Sequence, residues 1–266
     1  MRLRWALALI LLLPCIAHAQ SAIPVAEEPF HPPVFSNEFV RILNVTIPPG
    51  RSSLLHRHDN DYVFVMLRDG SMTSVREDGY SVSLQLSKGE TRFTRGGFAH
   101  TATNDGDTTL RILAVELLKG AGAEICGAQS PPCEKLQADL PVHKILIETE
   151  RVRVSTVHME PNVGDMHRHD YPHLIIALDP LRLRNEVAGK TPEILRLKAG
   201  EYKWLAGDFT HTLTNVGKAA VDQVVIEFKE YAAIAPAAPP GTPEPVSPPD
   251  ENEENQPDET QQEDGE

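Results

Sequence analysis

Leu54–Tyr62 reads LLHRHDNDY, and Gly164–His173 reads GDMHRHDYPH. The tetrapeptide His-Arg-His-Asp is thus written twice, 111 residues apart, with Tyr62 following it in one place and His173 in the other. The echo extends far beyond these four residues. At the same offset Gly89, Gly96, Phe98, His100, Asn104 and Glu116 fall on Gly200, Gly207, Phe209, His211, Asn215 and Glu227. Upstream the offset becomes 112, so that PFHPPVFSNEFVRI from Pro29 aligns with PVHKILIETERVRV from Pro141. A one-residue indel between Pro49 and His56 reconciles the two offsets. The repeat is therefore a domain of about 90 residues. It predicts an N-terminal unit at 29–120, a linker at 121–140 and a C-terminal unit at 141–231.

Each unit is built of short β runs. FVRILNVTI, YVFVMLRDGSMTSV and YSVSLQLSKGE are separated by turn pairs such as Pro49-Gly50, Asp69-Gly70, Asp78-Gly79 and Lys88-Gly89. The second unit supplies RVRVSTVHM, HLIIALDPLRLRNEV, EILRLKAGE and VDQVVIEF. No stretch carries a sustained helical period. Many short, evenly spaced strands predict an all-β fold of two jelly-roll barrels.

The two ends are of different character. Residues 1–19 have Arg2 and Arg4, an apolar run from Trp5 to Leu13 and a small-x-small site at Ala17-His18-Ala19. That is the anatomy of a secretory signal peptide, and the run is too short to span a bilayer. Lipidation at Cys15 is disfavoured by Pro14, where a small residue should stand. The mature chain is expected to be exported, to the periplasm or the extracellular space, with no membrane span. Residues 232–266 hold ten acids, many prolines and no Lys or Arg, so a disordered acidic tail is expected there. The tail carries most of the net charge of −13, leaving about −3 for the rest. Nothing forms a basic stripe, which excludes nucleic acid as a partner class. Cys126 and Cys133 bracket GAQSPP, and an oxidising compartment favours a disulfide between them.

Of eleven histidines, seven sit in the repeated blocks. On one strand, alternate residues share a face. His56, His58 and Tyr62 can then point one way, as can His167, His169 and His173. His100 follows His58 by 42 residues, and His211 follows His169 by the same interval. A lone histidine is ordinarily a satisfied core or surface residue. Three imidazoles at matching spacing in both units instead point to a metal held inside each barrel. Asp59 and Asp170 follow the two pairs and could orient an imidazole from behind, or pair with Arg57 and Arg168. His31 and His143 also match between units, but their place at the start of each unit makes an edge-strand role the default.

The pattern resembles the cupin superfamily, whose motifs read G-x5-H-x-H-x3,4-E-x6-G and G-x5-P-x-G-x2-H-x3-N. The first unit gives Gly50-x5-His56-x-His58-x3-Tyr62, then Gly89-x5-Arg95-x-Gly97-x2-His100-x3-Asn104. The second gives His167-x-His169-x3-His173, then Gly200-x5-Ala206-x-Asp208-x2-His211-x3-Asn215. The resemblance covers both units and implies an exported bicupin. The glutamate that many cupins use as fourth ligand is Tyr62 here in one unit and His173 in the other. Glutamate-dependent chemistry, such as that of the manganese bicupins acting on oxalate, becomes doubtful.

The candidate ligands are therefore His167, His169, His173 and His211 in one unit, and His56, His58 and His100 in the other. Imidazole suits Mn, Fe, Zn, Cu and Ni alike, so the expected cofactor is a divalent transition metal of open identity. Without a carboxylate such a site keeps about two positive charges and favours a small anionic or chelating ligand. Tyr62 is a candidate catalytic acid or base, a weak phenolate ligand, or a packed aromatic beside Phe64 and Met66. The resemblance implies a metal-dependent, dioxygenase-type activity. A metal-dependent lyase or isomerase using Tyr62, and a non-catalytic metal or small-ligand binding module of the cell envelope, are the alternatives. Nothing in the sequence excludes a homo-oligomer.

Overall fold

The computed structural model describes residues 21–127, 133–134, 136 and 142–229. The signal peptide expected at 1–19 and the tail expected at 232–266 lie outside the described residues, as does much of the 121–140 segment.

The first barrel begins ahead of Pro29. It contains β1 (Ile23–Pro24), a 3-10 turn at Val25–Glu27, β2 (Pro33–Ser36), β3 (Val40–Ile47), β4 (His56–His58) and β5 (Asp61–Met66). It continues with β6 (Gly70–Arg76), β7 (Ser81–Leu86), β8 (Thr91–Thr94), β9 (Phe98–Asn104) and β10 (Leu110–Leu117). One sheet runs β1-β4-β9-β6-β7 and the other β2-β3-β10-β5-β8. Chain-distant strands pair, β3 with β10 and β4 with β9, which is the crossover pattern of a jelly roll.

The second barrel has β11 (Glu124–Cys126), β12 (His143–Thr149), β13 (Val152–Met159), β14 (Gly164–His169) and β15 (His173–Ala177). It ends with β16 (Leu181–Val187), β17 (Glu193–Leu197), β18 (Tyr202–Leu205), β19 (Phe209–Asn215) and β20 (Val221–Phe228). Its sheets run β14-β19-β16-β17 and β11-β12-β13-β20-β15-β18. Cys126 and Cys133 are joined by a disulfide with a Cα separation of 5.4 Å, which fixes β11 to the segment that follows it.

Strand alternation assigns two jobs to the central strands. On β10, Ile112 and Ala114 pack inside the first barrel, while Leu113, Val115 and Leu117 face the other way. On β20, Val225 packs inside the second barrel, and Val224, Ile226 and Phe228 face out. The outward rows meet in one shared core with Val63, Val65, Val154, Leu174 and Ile176. Fully burying a side chain such as Leu113 or Phe228 stabilises by about 1.5–3 kcal/mol, so this inter-barrel core binds the halves firmly. Tyr202 of the second barrel also donates its hydroxyl to the Val34 carbonyl of the first at 3.2 Å.

The repeated motif residues have matching structural tasks. Asn104 donates to the Ile47 and Thr108 carbonyls at 2.8 Å and accepts from the Gly106 amide at 2.9 Å. Asn215 repeats this with Met159, Ala219 and Gly217. Gly96 and Gly207 are required by close approach. A Cβ there would lie 2.5 Å from the Asn60 carbonyl carbon and 2.3 Å from the Tyr171 carbonyl carbon, respectively.

Candidate metal centre

In each barrel the His-x-His pair lies on a short strand that pairs antiparallel with the strand of the third histidine. His56 stands opposite His100, and His167 opposite His211. Directly opposed residues share a face of the sheet, which is why the three imidazoles converge. Tyr62 and His173 arrive differently from the single-strand expectation. β4 ends at His58 and β14 at His169, and the chain then crosses to the other sheet before Tyr62 and His173. The crossing nevertheless places each ring against the second histidine. Tyr62 stacks on His58 at 4.3 Å between centroids, and His173 on His169 at 3.9 Å.

In the C-terminal barrel, hydrogen bonds hold three Nδ1 protons in place. His167 donates to Asp165 at 2.9 Å, His169 to Glu227 at 2.9 Å and His211 to Asn185 Oδ1 at 2.7 Å. With the proton on Nδ1, each Nε2 presents a lone pair. His167 Nε2 lies 3.0 Å from His169 Nε2 and 2.9 Å from His211 Nε2. Lone pairs at that separation repel unless a cation lies between them. Two nitrogens at right angles around one ion, each about 2.1 Å from it, would stand about 3 Å apart. The donor set therefore fits a divalent transition metal, held by His167, His169 and His211.

His143 joins them. It lies on β12, is buried, and its ring nitrogen falls with those of His167 and His169 in a group whose ligand atoms all lie within 4.8 Å. Its Nδ1 is 3.0 Å from Ser155 Oγ. The edge-strand role expected for His143 is thus replaced by a place at the centre, because β12 is an inner strand flanked by β11 and β13. His173 donates Nδ1 to the Tyr171 carbonyl at 3.2 Å, and its buried Nε2 has no hydrogen-bond partner.

The N-terminal barrel gathers His56, His58 and His100 within the same 4.8 Å limit. His56 donates Nδ1 to the Leu54 carbonyl at 2.9 Å, and His100 Nδ1 meets Ser74 Oγ at 2.7 Å. The Nε2 atoms of His56 and His100 are buried without partners, so these two also fit a cation. His31 packs its ring 4.4 Å from that of His56 and donates Nδ1 to the buried Glu28 at 2.5 Å. His31 lies in the bend before β2, the outermost strand of its sheet, yet its ring is buried against those of His56 and His58.

Electrostatics match a neutral, ligand-ready imidazole set. Burial pushes His56 down to about 4, and His100 and His211 to about 3, and depresses His58, His167 and His173. Burial also raises Tyr62 to about 12, so its phenol stays protonated. Tyr62 is packed at a stacking position, one of the roles open to it from the sequence.

Asp59 and Asp170 do not orient imidazoles. They are exposed and pair with Arg57 at 2.6 Å and Arg168 at 2.5 Å, because the odd residue of His-x-His points outward and carries its partner with it. The carboxylates behind the imidazoles are Asp165 and Glu227 in one barrel and Glu28 in the other. Of these, only the Glu116/Glu227 match was visible in the repeat, and it needed the register of β20 against β15 to place it.

A cavity lies beside the C-terminal histidines, walled by Val142, Val157, Ile175, Leu213 and Val225, with Gln223 also on its lining. It has room for a water-sized occupant.

Comparisons with known proteins agree with this architecture. Residues 43–116 match the family model described as cupin domain. No curated protein matches the chain in sequence. Among solved structures, AerE from Microcystis aeruginosa is 10% identical, with a TM-score of 0.54 over 76% of this chain and 98% of that one. A serine-to-alanine mutant of Bacillus subtilis oxalate decarboxylase OxdC is 13% identical, with a TM-score of 0.52 over 72% and 69% of the two chains. A glycine-to-alanine mutant of salicylate 1,2-dioxygenase from Pseudoaminobacter salicylatoxidans, in complex with gentisate, is 11% identical, with a TM-score of 0.51 over 74% and 70%. The first barrel thus matches the cupin domain in sequence over residues 43–116, and the neighbours share the fold of the chain.

Proposed function

We propose that this protein is an exported, divalent-metal-binding bicupin whose C-terminal barrel is a metal-dependent oxygenase centre for a small anionic or chelating substrate. The observation that carries this reading is the approach of His167 Nε2 to His169 Nε2 at 3.0 Å and to His211 Nε2 at 2.9 Å, each imidazole having its proton engaged at Nδ1. A bound divalent ion would supply Lewis acidity and, if redox-active, the means to engage dioxygen. The chain's own contribution is orientation and exclusion of water. Asp165, Glu227 and Asn185 hold the three rings, and the apolar wall keeps bulk solvent from the cavity. No glutamate ligand is present in the motif, so the site would hold an anion by net positive charge. Neighbours in fold that act on small carboxylates by name, an oxalate decarboxylase and a salicylate dioxygenase, support the substrate class. The Cys126–Cys133 disulfide is compatible with export.

A second reading, a non-catalytic module that holds a metal in the cell envelope, is favoured by one observation: the cavity has room only for a water-sized occupant. The lyase or isomerase alternative would need the buried Tyr62 phenol, stacked on His58, to act as its base.

The deciding experiment is metal content of untagged protein by mass spectrometry, followed by oxygen uptake with oxalate, salicylate and gentisate as probes. Bound metal with substrate-dependent oxygen uptake supports the oxygenase. Metal without uptake favours the holding module, and a metal-free protein under replete conditions overturns both.

A further inference from the structure

The two barrel interiors are built on the same rows of residues, and one row differs in a telling way. In the N-terminal barrel Val45, Ile112 and Met66 stand side by side across β3, β10 and β5. In the C-terminal barrel the row across β12, β13, β20 and β15 reads His143, Val157, Gln223 and Ala177. Residues in register across an antiparallel sheet share a face, so Gln223 points to the same side as His143, with Val157 between them. Met66 is therefore replaced by Ala177 and Ile112 by Gln223. On a neighbouring row Leu43 is replaced by Ser155. Met66, Ile112 and Leu43 pack in the N-terminal barrel's core. Of these positions Gln223 lies on the cavity lining, so a polar amide faces that space where the N-terminal barrel has the Ile112 side chain.

Gln223 is the odd residue in that cavity. It is 1% exposed, its Oε1 has no hydrogen-bond partner, and its Nε2 meets only the Met159 sulfur at 3.9 Å. A buried amide left this way is destabilising, and a ligand able to hydrogen-bond it would recover that cost. The amide and the histidines lie on the lining of one small space.

We infer that the C-terminal barrel takes a compact exogenous ligand of a few atoms, water or a small inorganic anion, between its histidine cluster and Gln223. Gln223 sets the affinity for that ligand. The N-terminal barrel, filled by Met66 and Ile112, holds an ion but admits no such ligand. The inference rests on the metal centre proposed above and adds the ligand, its size class and the residue that recognises it.

The test uses azide as the probe and Co(II) as the ion, in the full chain carrying His56→Ala and His58→Ala so that only the C-terminal site reports. Cobalt content is measured in each variant, and azide binding is followed by the visible spectrum. The parent is expected to respond saturably to azide. Gln223→Ile, which restores the N-terminal residue type, should keep its cobalt and bind azide about tenfold more weakly. Val157→Leu, on the cavity lining between His143 and Gln223, should keep its cobalt and lose the response by filling the space. Equal azide affinity in parent and Gln223→Ile, at equal cobalt content, would overturn the inference, as would a cobalt-loaded parent blind to azide. A parent that takes up no cobalt would overturn the metal centre itself, and the content measurement separates that failure from the others.

Discussion

The two barrels hold the same histidines at the same spacing but support them differently. Behind the C-terminal imidazoles stand two carboxylates, Asp165 on His167 and Glu227 on His169. Behind the N-terminal ones stand a carbonyl on His56 and a hydroxyl on His100, while His58 Nδ1 is buried without a partner. The residue corresponding to Glu227 is Glu116, but Arg41 engages it at 2.5 Å. In the second barrel the corresponding Arg153 is drawn towards Glu148 at 2.8 Å and stays 3.8 Å from Glu227, leaving that carboxylate to the imidazole. A carboxylate behind an imidazole fixes its tautomer and raises its basicity. Identical ligand motifs can therefore make sites of different strength.

The sharpest way to break this comparison is to remove ligands. His167→Ala with His169→Ala should abolish the metal equivalent that resists chelator, and His56→Ala with His58→Ala should remove only the labile one. Metal content after dialysis against graded chelator decides this, and a reversed order of loss would refute the asymmetry.

Next comes a substitution that should act alike in both barrels. Gly207→Ala places a Cβ against the Tyr171 backbone and Gly96→Ala against that of Asn60, so each should destabilise by about 3 kcal/mol. Urea denaturation measures it, and a wild-type midpoint in either variant would show that the turn yields.

Glu227→Gln should weaken metal binding by about 10- to 100-fold, while Glu116→Gln leaves the metal untouched. Competition with a chelator of known affinity reads both, and parity between the two variants would place Glu116 on an imidazole after all.

In metal-stripped protein His56, at about 4, and His211, at about 3, lie below the ordinary 6.5 of imidazole. The unfolded chain then binds more protons, so stability is full above about pH 6.5 and is lost as pH falls towards 4 and 3. Urea midpoints between pH 8 and 4 should decline; a flat profile would mean the rings are hydrated. The smallest effect is expected at the surface pair between barrels, Lys88 and Asp179 at 2.5 Å, where Lys88→Met should change stability by no more than about 0.5 kcal/mol in the same assay.

Much of this can be read before any coordinates. The duplication, the all-β architecture and the convergence of His56, His58 and His100, or of His167, His169 and His211, follow from spacing, because strand periodicity is local. What spacing does not reach is the pairing between distant strands. His31 and His143 read as edge residues, since nothing local says that β12 lies between β11 and β13. Asp59 and Asp170 read equally as supports of the imidazoles or as partners of Arg57 and Arg168, and the structure pairs them with the arginines. Tyr62 reads as a residue on the strand of His56, but the chain changes sheets at Asp59–Asn60 and the ring reaches His58 by stacking instead.

The apolar faces of β10 and β20 that meet between the barrels also bear on how the duplicate has persisted. An isolated C-terminal barrel would expose Val224, Ile226 and Phe228 to water, a patch suited to aggregation rather than solubility. The first barrel is therefore what keeps that face of the second one covered, whatever else it does.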